Sequence, residues 1–146
     1  LVGDFASTGL WRFTQAGGWL QLSGVNADLT LAANADLDSD DEVFGDFGAT
    51  GLWLWDAGTW TPLAGVNAES MVRADVNGDG RDELAADFGT LGLWILSAGA
   101  WSQISGLNPT SLISADFDGD NQDEIIGDFG ETGLFLWDAG SWTQIL

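Results

Sequence analysis

The stretch ADVNGDGRDEL, Ala74–Leu84, places four carboxylate side chains, one asparagine and two glycines within eleven residues. Counted from Asp75 as position 1, oxygen-bearing side chains stand at positions 1, 3, 5 and 9, and Gly80 stands at position 6. Alternating oxygen ligands on a tightly curled loop can converge on one cation, and a residue that tolerates left-handed backbone lets the chain turn at position 6. The stretch therefore predicts a metal-binding loop.

Two more copies of this loop align with it without gaps, one starting at Asn34 and the other at Asp116. Position 6 is Ser39 in the first copy and Asn121 in the third. A carboxylate at position 9 closes the ligand shell, and the backbone carbonyl of position 7 can point inward. A shell of many oxygen ligands favours Ca²⁺ over Mg²⁺.

These loops predict up to three Ca²⁺ ions per chain, the first loop binding most weakly because Asn34 and Ser39 carry no charge. The acidic residues at position 8, which are Asp41, Asp82 and Asp123, are expected to face solvent or to support the ligands from a second layer. The predicted ligands are Asn34, Asp36, Asp38, Asp40 and Glu42 in the first loop, Asp75, Asn77, Asp79, Arg81 and Glu83 in the second, and Asp116, Asp118, Asp120, Gln122 and Glu124 in the third, with position 7 acting through its carbonyl.

An EF-hand and a solvated acidic turn are the alternatives to this calcium hypothesis. An EF-hand needs a bidentate glutamate at position 12 and helices on both sides, whereas position 12 here is Ala86 and the flanking segments have strand character. A single loop would fit a solvated acidic turn equally well. Three loops in register within a larger repeat favour calcium.

Composition limits the classes of function. Asp and Glu number 23 against 3 Lys and Arg, so the net charge is −20 and the surface should repel nucleic acid and anionic membranes. No apolar run approaches the roughly 20 residues of a membrane span. A calcium-rich medium suits this chain, which predicts a secreted or cell-surface location. Because it has no His, Cys or Lys, the common nucleophile–base pairs are excluded and we expect no enzyme activity.

A 41-residue repeat organises the whole chain. The motif DFGxxGL or a close variant recurs, and a tryptophan follows it at Trp19, Trp60, Trp101 and Trp142. This period is typical of a four-stranded propeller blade, and no segment keeps a helical apolar pattern. The prediction is an all-β domain over 1–146 with repeats at 1–28, 29–69, 70–110 and 111–146. In the third repeat the predicted strands are Ser70–Ala74, Glu83–Phe88, Gly92–Leu96 and Trp101–Ser105.

The first repeat lacks its opening strand, so the chain holds about 3.75 blades. Blades bury their faces on each other around a ring, and known rings typically have four to eight blades. An unclosed array would leave large apolar faces in water. We therefore expect a homo-oligomer that shares blades, or a part of a longer chain.

The pattern DxNGDGxxE, followed by a hydrophobic strand and DFG, resembles the FG-GAP/VCBS repeats of integrin-α-like β-propellers. The resemblance covers nearly the whole chain and implies a propeller with Ca²⁺ in its first hairpins and an extracellular setting. Glu at position 9 replaces the family's more usual Asp, and the chain is too short for the family's usual seven-bladed ring.

Nine tryptophans raise the question of ligand binding. Exposed aromatic residues could stack on sugars, but their periodic positions favour packing between blades, with DAG-turn carbonyls as candidate partners for buried indole N–H groups. The recurring aspartates, Asp4, Asp46, Asp87 and Asp128, are expected to form structural turn contacts. Three functions remain: a calcium-stabilised module binding protein or glycan, a structural subunit that assembles into a ring or fibre, and an accessory propeller of a polysaccharide-active enzyme.

Overall fold

The computed structural model describes residues 1–38 and 40–146, and across them the chain is all-β, with four antiparallel sheets. The first sheet comprises β1 (Val2–Asp4), β2 (Leu10–Thr14) and β3 (Gly18–Ser23). The second comprises β4 (Leu29–Ala33), β5 (Glu42–Asp46), β6 (Leu52–Asp56) and β7 (Thr59–Ala64). The third comprises β8 (Ser70–Ala74), β9 (Glu83–Asp87), β10 (Leu93–Ser97) and β11 (Ala100–Ser105). The fourth comprises β12 (Ser111–Ala115), β13 (Glu124–Asp128), β14 (Leu134–Asp138) and β15 (Ser141–Gln144).

Each sheet is a meander in which neighbours in sequence are neighbours in space. Three sheets have four strands and the first has three, as the repeat predicts. The predicted strand bounds in the third sheet differ from those observed by a residue at several ends. Two of these differences come from a 3₁₀ turn at Gly89–Leu91, because Phe88 already belongs to that turn and Gly92, with φ 80°, ends it before β10 begins.

The DFG motif forms this turn in the second sheet as well. The Asp46 carboxylate accepts the N–H of Gly48 (2.8 Å), and the N–H of Phe47 donates to the carbonyl of Gly51 (3.0 Å). Gly51 has φ 86°, and a Cβ there would lie 2.1 Å from the carbonyl oxygen of Ala64. Only glycine meets both demands, which explains why the motif keeps this residue. The expected structural role of the recurring aspartate is confirmed for Asp46.

The chain divides into two compact units, the first being Leu1–Ala33 with Asp40–Ala68 and the second Asn34–Ser39 with Glu69–Leu146. In the first unit Leu10, Val43 and Trp55 form a buried cluster. In the second unit the buried cluster consists of Ala74, Ala85, Ile95, Ile125 and Trp137.

The inner strands β5 and β9 are buried along their whole length. A strand covered on both faces has a continuous apolar run rather than an alternating one, and β9 (ELAAD) has this character between its two acidic ends. The sheets are thus consistent with blade-like units stacked face to face within each unit. Among the described residues, no helix has the length and apolar character needed to span a membrane.

Candidate metal loops

Each acidic loop connects the first two strands of a four-stranded sheet, where the hairpin fixes its ends. The register pairs Ala33 with Glu42, Ala74 with Glu83, and Ala115 with Glu124. The position-9 glutamate is therefore the first residue of the second strand and lies opposite the residue before position 1. All three glutamates are buried, with exposed fractions of 2%, 5% and 2%.

The third loop brings its three aspartates together. Asp116 accepts the N–H groups of Gly119 (2.6 Å) and Asn121 (3.0 Å) with its two carboxylate oxygens. Gly119 and Asn121 have φ values of 86° and 70°, so position 6 adopts the predicted left-handed conformation and position 4 adopts it too. One carboxylate oxygen from each of Asp116, Asp118 and Asp120 lies within 4.8 Å of the other two. Such convergence of oxygens is what a hard cation requires.

Glu124 adds a buried carboxylate to this loop. Its Oε2 accepts the backbone N–H of Phe117 (2.7 Å), whereas its Oε1 is buried and has no hydrogen-bond partner. Burial raises the pKa of the Glu124 carboxyl, and the Phe117 N–H lowers it. The carboxylates of Asp118, Asp138 and Asp120 raise this pKa further. A buried carboxylate oxygen without a donor is costly. The carboxylate oxygens of this loop therefore fit a cation as ligands, and a bound cation would compensate the charge of the Glu124 oxygen that lacks a hydrogen bond.

The second loop has the same curl, but its glutamate is satisfied by the protein. Asp75 accepts the N–H groups of Asp79 (3.1 Å) and Gly80 (2.8 Å). Glu83 Oε1 accepts the side-chain amide of Asn77 (2.9 Å) and the hydroxyl of Ser97 (3.1 Å).

The remaining contacts of the second loop complete its hydrogen bonding. Glu83 Oε2 accepts the N–H of Val76 (3.2 Å). Burial raises the pKa of Glu83, hydrogen bonds from Ser97 and Val76 lower it, and nearby aspartates raise it. Arg81 donates its backbone N–H to Asp79 (2.9 Å), and the predicted inward direction of the Arg81 and Gln122 carbonyls stays a prediction.

Sequence reasoning missed one position near the glutamates, the last residue of the third strand in each sheet. In the third sheet it is Ser97, which hydrogen-bonds Glu83, and in the fourth it is Asp138, whose charge acts on Glu124. The 41-residue repeat contains this position, but nothing local marks it as a neighbour of the loop. Strand pairing across the sheet brings it there.

The first loop is divided between the two units, because Asn34, Asp36 and Asp38 belong to the second unit while Asp40 and Glu42 belong to the first. Within the second unit, Asn34 accepts the N–H of Leu37 (2.9 Å) and Asp36 accepts that of Asp38 (2.9 Å).

Other features of the first loop differ from its copies. Leu37 has φ 71° at position 4, where the other loops have glycine. In the first unit, the Asp40 carboxylate pairs with Arg12 (3.1 Å), and the Arg12 guanidinium lies 4.8 Å from the Trp55 ring centre. The predicted turn at Ser39 lies outside the described residues.

The position-8 aspartates clamp one loop to the next within the second unit. The backbone N–H of Asp82 donates to the carbonyl of Asn34 (2.7 Å), and its carboxylate accepts the N–H of Asn34 (2.9 Å). Asp123 makes the same pair of bonds to Asp75 (2.8 and 3.0 Å). Asp82 and Asp123 therefore support position 1 of the preceding loop through its backbone. Their expected place in a second layer around a metal stays a prediction.

The loops thus differ in how far the protein itself satisfies their buried carboxylates. Glu83 has hydrogen-bond donors for both oxygens, whereas Glu124 has a donor for only one. No family model and no curated protein matches this chain. Function is therefore inferred from the chemistry of the loops and from the sheets that hold them.

The tryptophans make packing and turn contacts. Trp55 and Trp137 are buried in the two clusters, as the packing interpretation predicts. The proposed DAG-turn partners are wrong for the indoles whose bonds are resolved. Instead, Trp53 donates to Thr50 O (3.1 Å) in the DFG turn, and Trp60 donates to the carbonyl of Leu22 (2.9 Å) at the end of the neighbouring sheet.

Proposed function

We propose that this chain is a calcium-stabilised extracellular β-propeller module that binds protein or glycan, with the metal in a structural rather than a catalytic role. The observation that carries the calcium proposal is the unpartnered, buried Oε1 of Glu124 at the end of the loop whose three aspartates converge. Asp116, Asp118, Asp120 and Glu124 would hold the ion, and the carbonyl of Gln122 would complete the shell.

Calcium would act on the hairpins that carry the loops. Burial is the largest cause of the raised pKa of Glu124, and the carboxylates of Asp118 and Asp120 raise this pKa further because like charges repel. A divalent ion supplies the opposite charge and ties β12 to β13 through their connecting loop. Binding only to the folded state stabilises it by mass action, by about 2.7 kcal/mol when free Ca²⁺ is 100 times Kd. Millimolar extracellular Ca²⁺ would meet even a modest affinity.

The repeated sheets support the propeller part of the proposal. Four meanders with the same order of neighbouring strands, two of which have an inner strand buried along its whole length, fit what blades require. In the second unit the first strands of adjacent sheets meet, and Ser114 on β12 donates its hydroxyl to the carbonyl of Arg73 on β8. The resemblance of the loops to FG-GAP/VCBS repeats supports the extracellular setting.

The test is the melting temperature in Ca²⁺ and in EDTA, for the wild type and for Glu124→Gln. We expect Ca²⁺ to raise the wild-type Tm by several degrees, since about 1 kcal/mol shifts Tm by about 2–4 °C in a chain of this size. Glu124→Gln should lose much of this increment. The Tm of Glu124→Gln in EDTA can exceed that of the wild type, because the substitution removes a buried charge. The informative quantity is therefore the difference in Tm between Ca²⁺ and EDTA for each protein.

Glu131→Gln is the matched control, because Glu131 is exposed and lies outside the loops. It should keep the full calcium increment. A wild-type Tm that is the same in Ca²⁺ and EDTA would refute the structural metal. An undiminished increment in Glu124→Gln would show that the third loop is not the site.

A further inference from the structure

A cavity of about 250 Å³ lies in the first unit, between the first and second sheets. It is formed where the end of β3 and the following residues approach the DFG turn and strands β6 and β7. Exposed residues at its rim open it to solvent. The lining residues are Ser23, Val25, Phe47, Thr50, Trp53 and Trp60.

This cavity coincides with a break in the repeat. In the first, third and fourth sheets a glutamine faces the aromatic residue near the start of the strand that follows the DFG turn, as Gln103 faces Trp94. Its side-chain amide donates to a carbonyl of that turn, at distances of 2.7, 3.0 and 3.2 Å in the three sheets. In the second sheet Pro62 faces Trp53. Proline has no side-chain amide to donate to the turn, and the cavity lies beside Trp53 in this sheet.

The aromatic rings of the cavity are held in place and have their polar atoms satisfied. The Trp53 indole N–H donates to Thr50 O, and the Trp60 indole N–H donates to Leu22 O. Phe47 packs edge-on against Trp60, with ring centres 5.3 Å apart and an angle of 80°. Because these N–H groups are engaged, the rings offer apolar surface to a ligand. A preorganised surface loses little entropy on binding.

The polar groups of the cavity are hydroxyls. The oxygen of Ser23 accepts the N–H of Val25 (3.0 Å), which leaves its hydroxyl proton for a ligand. Thr50 contributes a second hydroxyl at the exposed edge, and none of the six lining residues is charged. Aromatic walls with a few convergent hydroxyls suit a neutral ring that has both C–H and O–H groups. An apolar side chain of a protein partner would form no hydrogen bonds with these hydroxyls.

We propose that this cavity binds one neutral pyranose unit of a glycan. The C–H face of the sugar packs on Trp53, and its hydroxyl groups bond to Ser23 and Thr50. The volume, below the roughly 300–1,000 Å³ of drug-sized pockets, limits the occupant to a single ring. This inference rests on the proposed binding function and names its ligand class, but it uses no residue of the calcium loops.

The test is saturation-transfer NMR with neutral methyl glycosides of glucose, galactose, mannose, fucose and N-acetylglucosamine, at saturating Ca²⁺. N-Acetyl-leucine amide serves as the apolar side-chain probe. We expect at least one glycoside to bind the wild type. Pro62→Gln, which restores the amide of the other sheets, should weaken binding at least tenfold, and Trp53→Ala should abolish it. Trp94→Ala, at the same position of the third sheet, should bind like the wild type.

Thr50→Val provides a variant that removes only a hydroxyl, in case Pro62→Gln or Trp53→Ala does not fold. It should weaken sugar binding severalfold and leave the calcium increment in Tm unchanged. The proposal is overturned if no glycoside binds, if only the leucine probe binds, or if Thr50→Val and Pro62→Gln bind like the wild type. Sugar binding without a calcium effect on Tm would refute the structural metal alone, so the two proposals fail separately.

Discussion

At the scale of the residue, one proline leaves a buried aspartate without a backbone donor that its copies have. Asp4 and Asp46 each accept a backbone N–H from the segment that follows their sheet, donated by Ala27 (2.8 Å) and by Ala68. Pro109 occupies the same place after the third sheet, and it has no N–H to donate to Asp87. Burial raises the pKa of Asp87 to about 6, while the Gly89 N–H lowers it and the charge of Glu69 raises it.

Pro109→Ala should supply the missing donor and lower the pKa of Asp87. The pKa of Asp87 is about 6 in the folded protein, against an ordinary value of 3.8, so the folded state binds this proton more tightly than the unfolded state. Asp87 therefore makes its full contribution to the free energy of unfolding below pH 3.8, and this contribution is lost as pH rises through about 6. The loss reaches about 3 kcal/mol, from roughly two pKa units at 1.36 kcal/mol each. Urea unfolding from pH 4 to 7 should show a smaller decline in the variant.

Pro62→Ala is the control for this measurement, because it makes the same change in the unfolded chain at the only other proline. It should shift stability without changing the shape of the pH curve. Parallel curves for Pro109→Ala and the wild type would contradict the role assigned to the missing N–H.

At the scale of the element, consecutive loops are coupled by the position-8 clamp. Asp123 belongs to the third loop, yet its carboxylate accepts the N–H of Asp75, which is position 1 of the second loop. A hydrogen bond to a charged group contributes about 1.5–3 kcal/mol. Ordering of one loop should therefore favour the ordered form of the loop before it.

Asp123→Ala should weaken Ca²⁺ binding at the second loop about tenfold, which corresponds to about 1.4 kcal/mol. The amide resonance of Gly80 reports the second loop in a Ca²⁺ titration by NMR, and that of Gly119 reports the third. Asp41→Ala is the control, because it removes the same side chain from position 8 of the first loop and leaves the bond between Asp123 and Asp75 in place. An unchanged midpoint at Gly80 in Asp123→Ala would show that the clamp does not couple the loops.

At the scale of the whole molecule, the first sheet has an open edge. The other three sheets carry a fourth strand at the place next to β1 (Val2–Asp4), which pairs only with β2 among the described strands. Unpaired backbone groups on an edge strand favour pairing with another chain. Light scattering in Ca²⁺ should therefore give a mass that is a multiple of 15.4 kDa, and EDTA should lower it.

A series of protein concentrations provides the control for this measurement. The mass of a specific closed assembly becomes constant once the concentration exceeds its dissociation constant, whereas the mass of an open-ended assembly continues to increase with concentration. A mass of 15.4 kDa in both Ca²⁺ and EDTA would contradict assembly through the open edge.

Features that depend on a few neighbouring residues were predictable from the sequence. The 41-residue period located all four sheets, and Gly80 and Asn121 predicted the αL conformation at position 6 of the second and third loops. The structural role of Asp46 also followed, because its turn closes within a few residues. These features are local, because a pattern of alternating oxygen ligands, a glycine or an apolar run determines the structure of the residues next to it. They can therefore be predicted before the fold is known.

The tertiary structure decided which groups from distant parts of the chain meet. It placed the carboxylate of Asp123 on the backbone of Asp75, 48 residues away, and satisfied Glu83 with Ser97 while leaving one oxygen of Glu124 without a donor. It also placed Pro62 opposite Trp53 through strand pairing, a contact that the sequence does not indicate. Sequence spacing sets the local curl of a loop, whereas the burial and partners of its carboxylates depend on how the sheets pack.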